Sequence, residues 1–122
     1  MKRLLAFSIL ALLALCGMAD AQATFNKRAV ISISSSGSNQ VVAAVANQRI
    51  SVYGIDLSCS TSTTVQLLDG STPLTGAMTL TSYSKPIITS GAYWVGTTGN
   101  ALNISLGGAI ACAGTLWYTQ GP

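Results

Sequence analysis

The chain contains no histidine and no glutamate, so three aspartates are its only carboxylate side chains. Acid–base catalysis needs groups that titrate near the working pH, and histidine is the usual choice. After residue 23 only Asp56 and Asp69 remain. Asp69 belongs to an Asp-Gly turn pattern, where aspartate bonds to nearby backbone, and Asp56 falls on the polar side of an alternating segment. The sequence therefore predicts a protein that is not an enzyme.

Other catalytic and metal-binding patterns are also missing. An activated serine needs a base beside it, and after residue 23 the only lysines are Lys27, in a polar lead-in, and Lys85, directly before Pro86. No group of cysteines and carboxylates has the spacing of a metal site, and no glycine loop of a phosphate-binding type occurs. We expect no catalytic residue, no metal ion and no cofactor.

Charge is scarce as well: charged residues make up 7% of the chain, against about a quarter in ordinary domains. After residue 23 the cations are scattered and form no basic patch, which excludes a nucleic-acid partner; they are Lys27, Arg28, Arg49 and Lys85. A nearly neutral surface has little charge repulsion to prevent self-association. It suits a homo-oligomer or lattice component, although a Ser/Thr-rich secreted domain has the same composition.

The first 23 residues have the pattern of a cleavable signal peptide. Lys2 and Arg3 precede an apolar run over residues 4–15, and Ala21 and Ala23 form an A-x-A cleavage site. The run is too short for a membrane span, so we expect a signal-peptide helix over residues 1–23 and a single domain over residues 24–122. The protein would be exported to the periplasm, the exterior or a virion, with membrane contact only through the leader. A lipidated Cys16 stays open, although Leu15 before it disfavours that reading.

After residue 23 the apolar residues alternate with a period of two, as in half-buried strands. The clearest alternation places Tyr53, Ile55, Leu57 and Cys59 on one face and Val52 on the other. Further strands are predicted over residues 29–34, 41–46, 64–68, 74–80, 92–95, 102–106 and 110–118. Turn signals recur about every ten residues, including a Ser/Thr turn after residue 59 and a hairpin turn at residues 69–73. This predicts an all-β fold of about seven or eight short strands, an antiparallel sandwich or jelly-roll-like barrel.

Two cysteines remain once Cys16 leaves with the signal peptide. An even number in an exported chain favours a disulfide between Cys59 and Cys112. Both fall on the apolar side of their strands, as a bridge within a two-sheet core requires. The alternative is a pair of buried free thiols, because cysteine packs well as a small hydrophobe.

Three aromatic residues are candidates for an interface or a ligand site. Tyr93 and Trp94 lie between glycines, and Trp117 alternates outward relative to Leu116 and Tyr118. Exposed aromatic rings stack on sugars or anchor partner chains. The alternative is that these rings close the ends of the core.

From Val45 to Thr119 the chain resembles a loose group of small phage virion proteins of the β-sandwich head-decoration or fibre-like kind. The similar stretches are residues 44–52, 64–78, with its LTG-M ending, 99–106, with its ALN-SL strand, and 113–118. These are framework residues, and the resemblance implies a non-enzymatic, often oligomeric virion component. The signal peptide is a departure, because such proteins commonly lack one, and it leaves room for a host surface protein or a prophage product.

Together these patterns predict an exported, non-enzymatic structural protein of a phage virion or a cell surface, acting through oligomeric or lattice contacts. The alternative function is a secreted β-sandwich module that binds a glycan or a surface through Tyr93, Trp94 and Trp117.

Overall fold

The structure is a computed structural model that describes residues 27–88 and 90–122. The predicted signal peptide, with Cys16, lies outside the described residues. Across the described ranges the protein is all-β and has no helix. Its eight strands are β1 (Lys27–Ile33), β2 (Gly37–Val42), β3 (Arg49–Asp69), β4 (Thr72–Pro73), β5 (Met78–Lys85), β6 (Trp94–Val95), β7 (Leu102–Leu106) and β8 (Cys112–Gly121).

The strands form one antiparallel sheet built around the 21-residue β3. β8 and β7 follow one another along one edge of β3, and β1 and β2 flank them in the order β1-β8-β3-β7-β2. β6, β5 and β4 pair with the opposite edge of β3. The long strand therefore holds every other part of the described chain in place, either directly or through one neighbour.

The sheet curls into a half-barrel because its pairing is irregular near its middle. Between Ser58 and Thr63 the register of β3 against β5 shifts, so that four residues of β3 lie opposite one residue of β5. Extra residues of this kind bend a strand and increase its twist. The predicted Ser/Thr turn after residue 59 is wrong, because this part of β3 stays extended: Ser60 donates to the carbonyl of Ala111, and Gly107 donates to that of Thr64.

The core lies on one face of the curled sheet, and a bulge decides which residues of β3 reach it. Ile55 and Leu57 are buried, as predicted. Val52 is also buried, which corrects the prediction that it faces away. The register against β8 shifts between Val52 and Gly54. Tyr53 is therefore an extra residue, and the alternation changes phase there.

The predicted hairpin at residues 69–73 is confirmed. Gly70 adopts a φ of 61° in the two-residue connection between Asp69 and Thr72, a conformation that glycine accepts without a steric penalty. The Leu74 amide then donates to the Leu67 carbonyl.

Other strand boundaries differ from the predictions. The strand predicted over residues 41–46 stops at Val42, and Asn47 adopts a φ of 62° in the connection that follows. The strand predicted over residues 74–80 is replaced by β4 and β5. The described residues form eight strands, within the predicted number, but the 21-residue β3 stands where two short strands were predicted. A two-layer sandwich or jelly roll and the single-domain boundary stay predictions.

Candidate functional site

Cys59 and Cys112 form a disulfide, which confirms the pairing predicted from the sequence. They lie directly opposite one another on β3 and β8, and both are buried. The bridge thus joins neighbouring strands of one sheet, at the end of β8 where the sheet bends, and not two facing sheets as expected.

The two carboxylates lie on opposite faces of the sheet. Asp56 is exposed on the face away from the core. Asp69 is 7% exposed, and its Oδ2 accepts a hydrogen bond of 2.8 Å from the Thr97 amide. A side chain at Gly96 would bring its Cβ within 2.8 Å of Oδ1 of Asp69. The buried carboxylate therefore anchors a loop distant in sequence, a role that its turn pattern did not predict.

An aromatic cluster, formed by Tyr83, Lys85, Tyr93 and Trp94, lies at the border of the core. Trp94 pairs with the buried Val52, so it belongs to the core face and packs against it. Its ring centroid lies 5.7 Å from that of Tyr93 and 6.5 Å from that of Tyr83. The Lys85 ammonium lies 5.6 Å from the centre of the Tyr93 ring, within the range of a cation–π contact.

Hydrogen bonds and burial fix this cluster. The Tyr93 amide donates to the Val52 carbonyl at 2.8 Å, and its hydroxyl donates to the Pro86 carbonyl at 3.0 Å. Burial raises the pKa of Tyr83 above its usual value of 10.0, and the nearby Tyr93 hydroxyl raises it further. The Tyr83 hydroxyl is therefore protonated and uncharged at any physiological pH.

Trp117 lies on the other face of the sheet, so the three predicted aromatic residues do not form one site. It is half-buried and lies between Arg28 of β1 and Gly54 of β3. Ile87 covers Gly54. A Cβ at Gly54 would lie 3.1 Å from Cγ1 of Ile87, which is closer than an ordinary van der Waals contact. The placement agrees with the outward alternation of Trp117, and its role in an interface stays a prediction.

An open groove of about 220 Å³ follows the same outer face, next to Trp117. Ser51 and Thr119 lie opposite one another in its floor. The residues that line it are Arg49, Ser51, Tyr53, Thr119, Gln120, Gly121 and Pro122. No sequence pattern indicates this groove, because its residues come from the start of β3 and the end of β8, which meet only when the two strands pair.

No described strand is hydrogen-bonded to the outer edge of β1, which is therefore called the open edge, although β2 lies close to part of β1. The bond from Ser60 to Ala111 shows that odd-numbered residues of β8 direct their backbone groups toward β3. Even-numbered residues of β8 therefore bond to β1, where their partners are the odd-numbered residues. It follows that the backbone N–H and C=O groups of Arg28, Val30 and Ser32 point to the open edge.

The described residues contain no group of three or more potential metal-ligating side chains. None of their segments is a helix of sufficient length and hydrophobicity to cross a membrane.

Comparisons with protein-family models, with curated proteins and with solved structures find no match to this chain. The resemblance to small phage virion proteins therefore stays a prediction.

Proposed function

We propose that this protein is a non-enzymatic, exported structural component of a phage virion or a cell surface, and that it acts by self-association. The observation that carries the proposal is the open edge of β1. An unpaired edge strand presents a row of backbone donors and acceptors to any other strand.

The β1 edge has few of the features that keep natural edge strands apart. Such edges are commonly protected by charges, prolines, bulges or short length. β1 is seven residues long, contains no proline and pairs with β8 in one unbroken register. Its charges, Lys27 and Arg28, are confined to its first two positions, and Val30 is 75% exposed. The remainder of the edge is uncharged and rich in β-branched residues, as a pairing strand would be.

The surface charge supports the same proposal. Among the described residues Asp56 is the one exposed acidic side chain, since Asp69 is buried. The exposed cations include Lys27, Arg28 and Arg49. With so few charges, two copies that approach each other meet little electrostatic repulsion.

The placement of the carboxylates supports a function other than catalysis. A pair of carboxylates in acid–base catalysis must face one substrate. Asp56 and Asp69 face away from each other across the sheet, and Asp69 is already bonded to Thr97. A broad hydrolase screen with the purified protein tests this point, and turnover of any substrate would contradict it.

Self-association is tested by light scattering after size exclusion. We expect a mass that is a multiple of the protomer mass at micromolar concentration. The Trp117→Ala variant should weaken assembly more than folding, because Trp117 lies on the outer face beside β1. If this variant unfolds instead, Trp117 belongs to the structural support of the sheet. A parent protein that stays monomeric at every accessible concentration would overturn the proposal.

Export is tested by the N-terminus of the protein recovered from an expressing cell. We expect processing after Ala23, so that the purified chain begins at Thr24. The disulfide supports export, because such bonds persist mainly in oxidising compartments. An unprocessed chain in the cytoplasm would contradict this part of the proposal.

A second candidate function is glycan binding, favoured by the half-buried rings and the ammonium group of the aromatic cluster. The chain has two tryptophans, so Trp117→Phe leaves Trp94 as the sole tryptophan reporter. Under this proposal, polysaccharide changes its fluorescence, and Tyr93→Ala abolishes the change. A fluorescence that no polysaccharide alters would argue against glycan binding here.

A further inference from the structure

We propose that two copies of this chain pair through their β1 edges, antiparallel, about a two-fold axis beside Val30. The pairing joins the two curled sheets into one continuous sheet. This inference rests on the proposed self-association and specifies the contact that produces it.

The register follows from the direction of the backbone groups. Arg28, Val30 and Ser32 present their N–H and C=O groups to the open edge, and Val30 is the middle one. An axis beside Val30 places Val30 opposite Val30 of the second copy and Arg28 opposite Ser32 of the second copy. All three residues then form hydrogen-bonded pairs, and each pair exchanges two backbone hydrogen bonds.

Neighbouring registers satisfy fewer of these groups. An axis beside Ala29 or Ile31 pairs only two of the three residues within the bounds of β1. An axis beside Arg28 places the two guanidinium groups directly opposite one another, where like charges are destabilising. The register centred on Val30 is therefore the one that uses the whole open edge.

The charges of β1 are compatible with this register. Lys27 and Arg28 face the uncharged Ile33 and Ser32 of the second copy. The two copies of Arg28 are four residues apart along the edge, about 13 Å at the rise of a strand. That separation exceeds the Debye length of about 8–10 Å at moderate ionic strength, so their repulsion is largely screened.

The contact also closes on itself. Each copy contributes the same strand, so a two-fold pair uses both β1 edges and leaves no free β1 for a third copy. The Val30 side chains, which are 75% exposed in the single chain, then meet across the axis on the outer face. One strand further in lie Trp117, beside Arg28, and Thr115, beside Val30.

Cysteine cross-linking tests the register, with the protein expressed from its full sequence. In a hydrogen-bonded antiparallel pair, directly opposite Cα atoms lie about 5.5 Å apart, a separation that a disulfide spans. Val30→Cys should therefore give mostly a covalent species of twice the protomer mass on mild oxidation. Ser32→Cys is the matched control, because Ser32 is also exposed on the same edge. The two cysteines of Ser32→Cys would be about 13 Å apart in the pair of copies, so this variant should give little covalent dimer.

Removal of a single edge donor provides the second measurement. Val30→Pro deletes an N–H that points away from β8, a position where edge strands accept proline. We expect the assembly mass to fall by half while the melting temperature at low concentration stays close to that of the parent.

The outcomes separate the two proposals. If the parent assembles but Val30→Cys does not cross-link, or cross-links no better than Ser32→Cys, the register is wrong and self-association stands through another surface. If Val30→Pro folds and still assembles fully, the β1 edge is likewise excluded. If the parent never assembles, both proposals fail.

Discussion

Reduction of the Cys59–Cys112 bond is expected to lower the free energy of unfolding by about 4 kcal/mol. The two cysteines are 53 residues apart in the chain, and in the chain-entropy model a loop of this length is worth roughly that amount, because the bridge restricts the unfolded chain. At about 4–8 °C per kcal/mol for a domain of this size, the melting temperature should fall by about 15–30 °C.

The assay compares thermal unfolding, followed by far-ultraviolet circular dichroism, for three forms of the protein. The oxidised parent is the reference, and the reduced parent isolates the covalent bond because it keeps both buried thiols. The Cys59→Ala/Cys112→Ala double variant removes the bond and two sulfur atoms from a site where both residues are buried. It should therefore melt at or below the reduced parent, since removal of buried atoms leaves a cavity.

Two results would refute the reasoning. A reduced parent that melts within a few degrees of the oxidised parent would mean that the bridge does not restrict the unfolded chain as argued. A Cys59→Ala variant that melts like the oxidised parent would show that the bridge is not formed in the folded protein.

Three further predictions concern single side chains. Gly114→Ala should lower the free energy of unfolding by about 3 kcal/mol or more in a denaturant titration, because the new Cβ would collide with the Asp56 carbonyl. Gly76→Ala is the control and should be nearly neutral, because Gly76 has open space around it. Equal losses of stability in the two variants would contradict the close approach of Gly114 to Asp56. Asp69→Ala should cost about 1.5–3 kcal/mol, since it removes a charge-assisted hydrogen bond, and Asp56→Ala less than about 0.5 kcal/mol. The raised pKa of Tyr83 means that the unfolded chain deprotonates first. Its contribution to stability is complete below pH 10 and is lost as pH rises further, so Tyr83→Phe should flatten the alkaline stability profile, and an unchanged slope would refute this.

The burial pattern of β3 shows what alternation alone can predict. Ile55, Leu57 and Cys59 follow one phase, and the structure buries all three. Ile50 and Val52 are also apolar but follow the opposite phase, so both sets can be buried only if an extra residue separates them. The phase change was therefore visible in the sequence, whereas its position at Tyr53 depends on the pairing with β8.

The predicted turn after Cys59 failed for a different reason. The segment from Ser60 to Thr63 is polar and β-branched, a composition found both in turns and in exposed strands. The chain on the neighbouring side keeps this segment extended. The Ser60 amide donates to the Ala111 carbonyl, and the Gly107 amide donates to the Thr64 carbonyl. These contacts connect residues 51 and 43 positions apart in the chain, and no local pattern contains them.

The candidate sites were predicted only at the level of single residues. Parity placed Trp117 outward correctly, but it could not show that Tyr93 and Trp94 lie on the opposite face. The bond between Asp69 and Thr97 is not encoded by the Asp-Gly turn that explains the hairpin. The open β1 edge depends on strand order, which the sequence left undetermined.

The edges of this sheet differ in a way that bears on how the protein assembles. Along β2 the register shifts between Gln40 and Val42, and along the opposite side of the sheet the pairing of β5 is interrupted between Ser58 and Thr63. Irregular edges of this kind resist pairing with a second chain. Among the described strands β1 combines an open edge with an unbroken register, and its cations lie at one end only. Because only the β1 edge is both unpaired and regular among the described strands, pairing through it gives closed dimers and not open fibres. Larger assemblies would therefore require contacts on the outer face around Trp117.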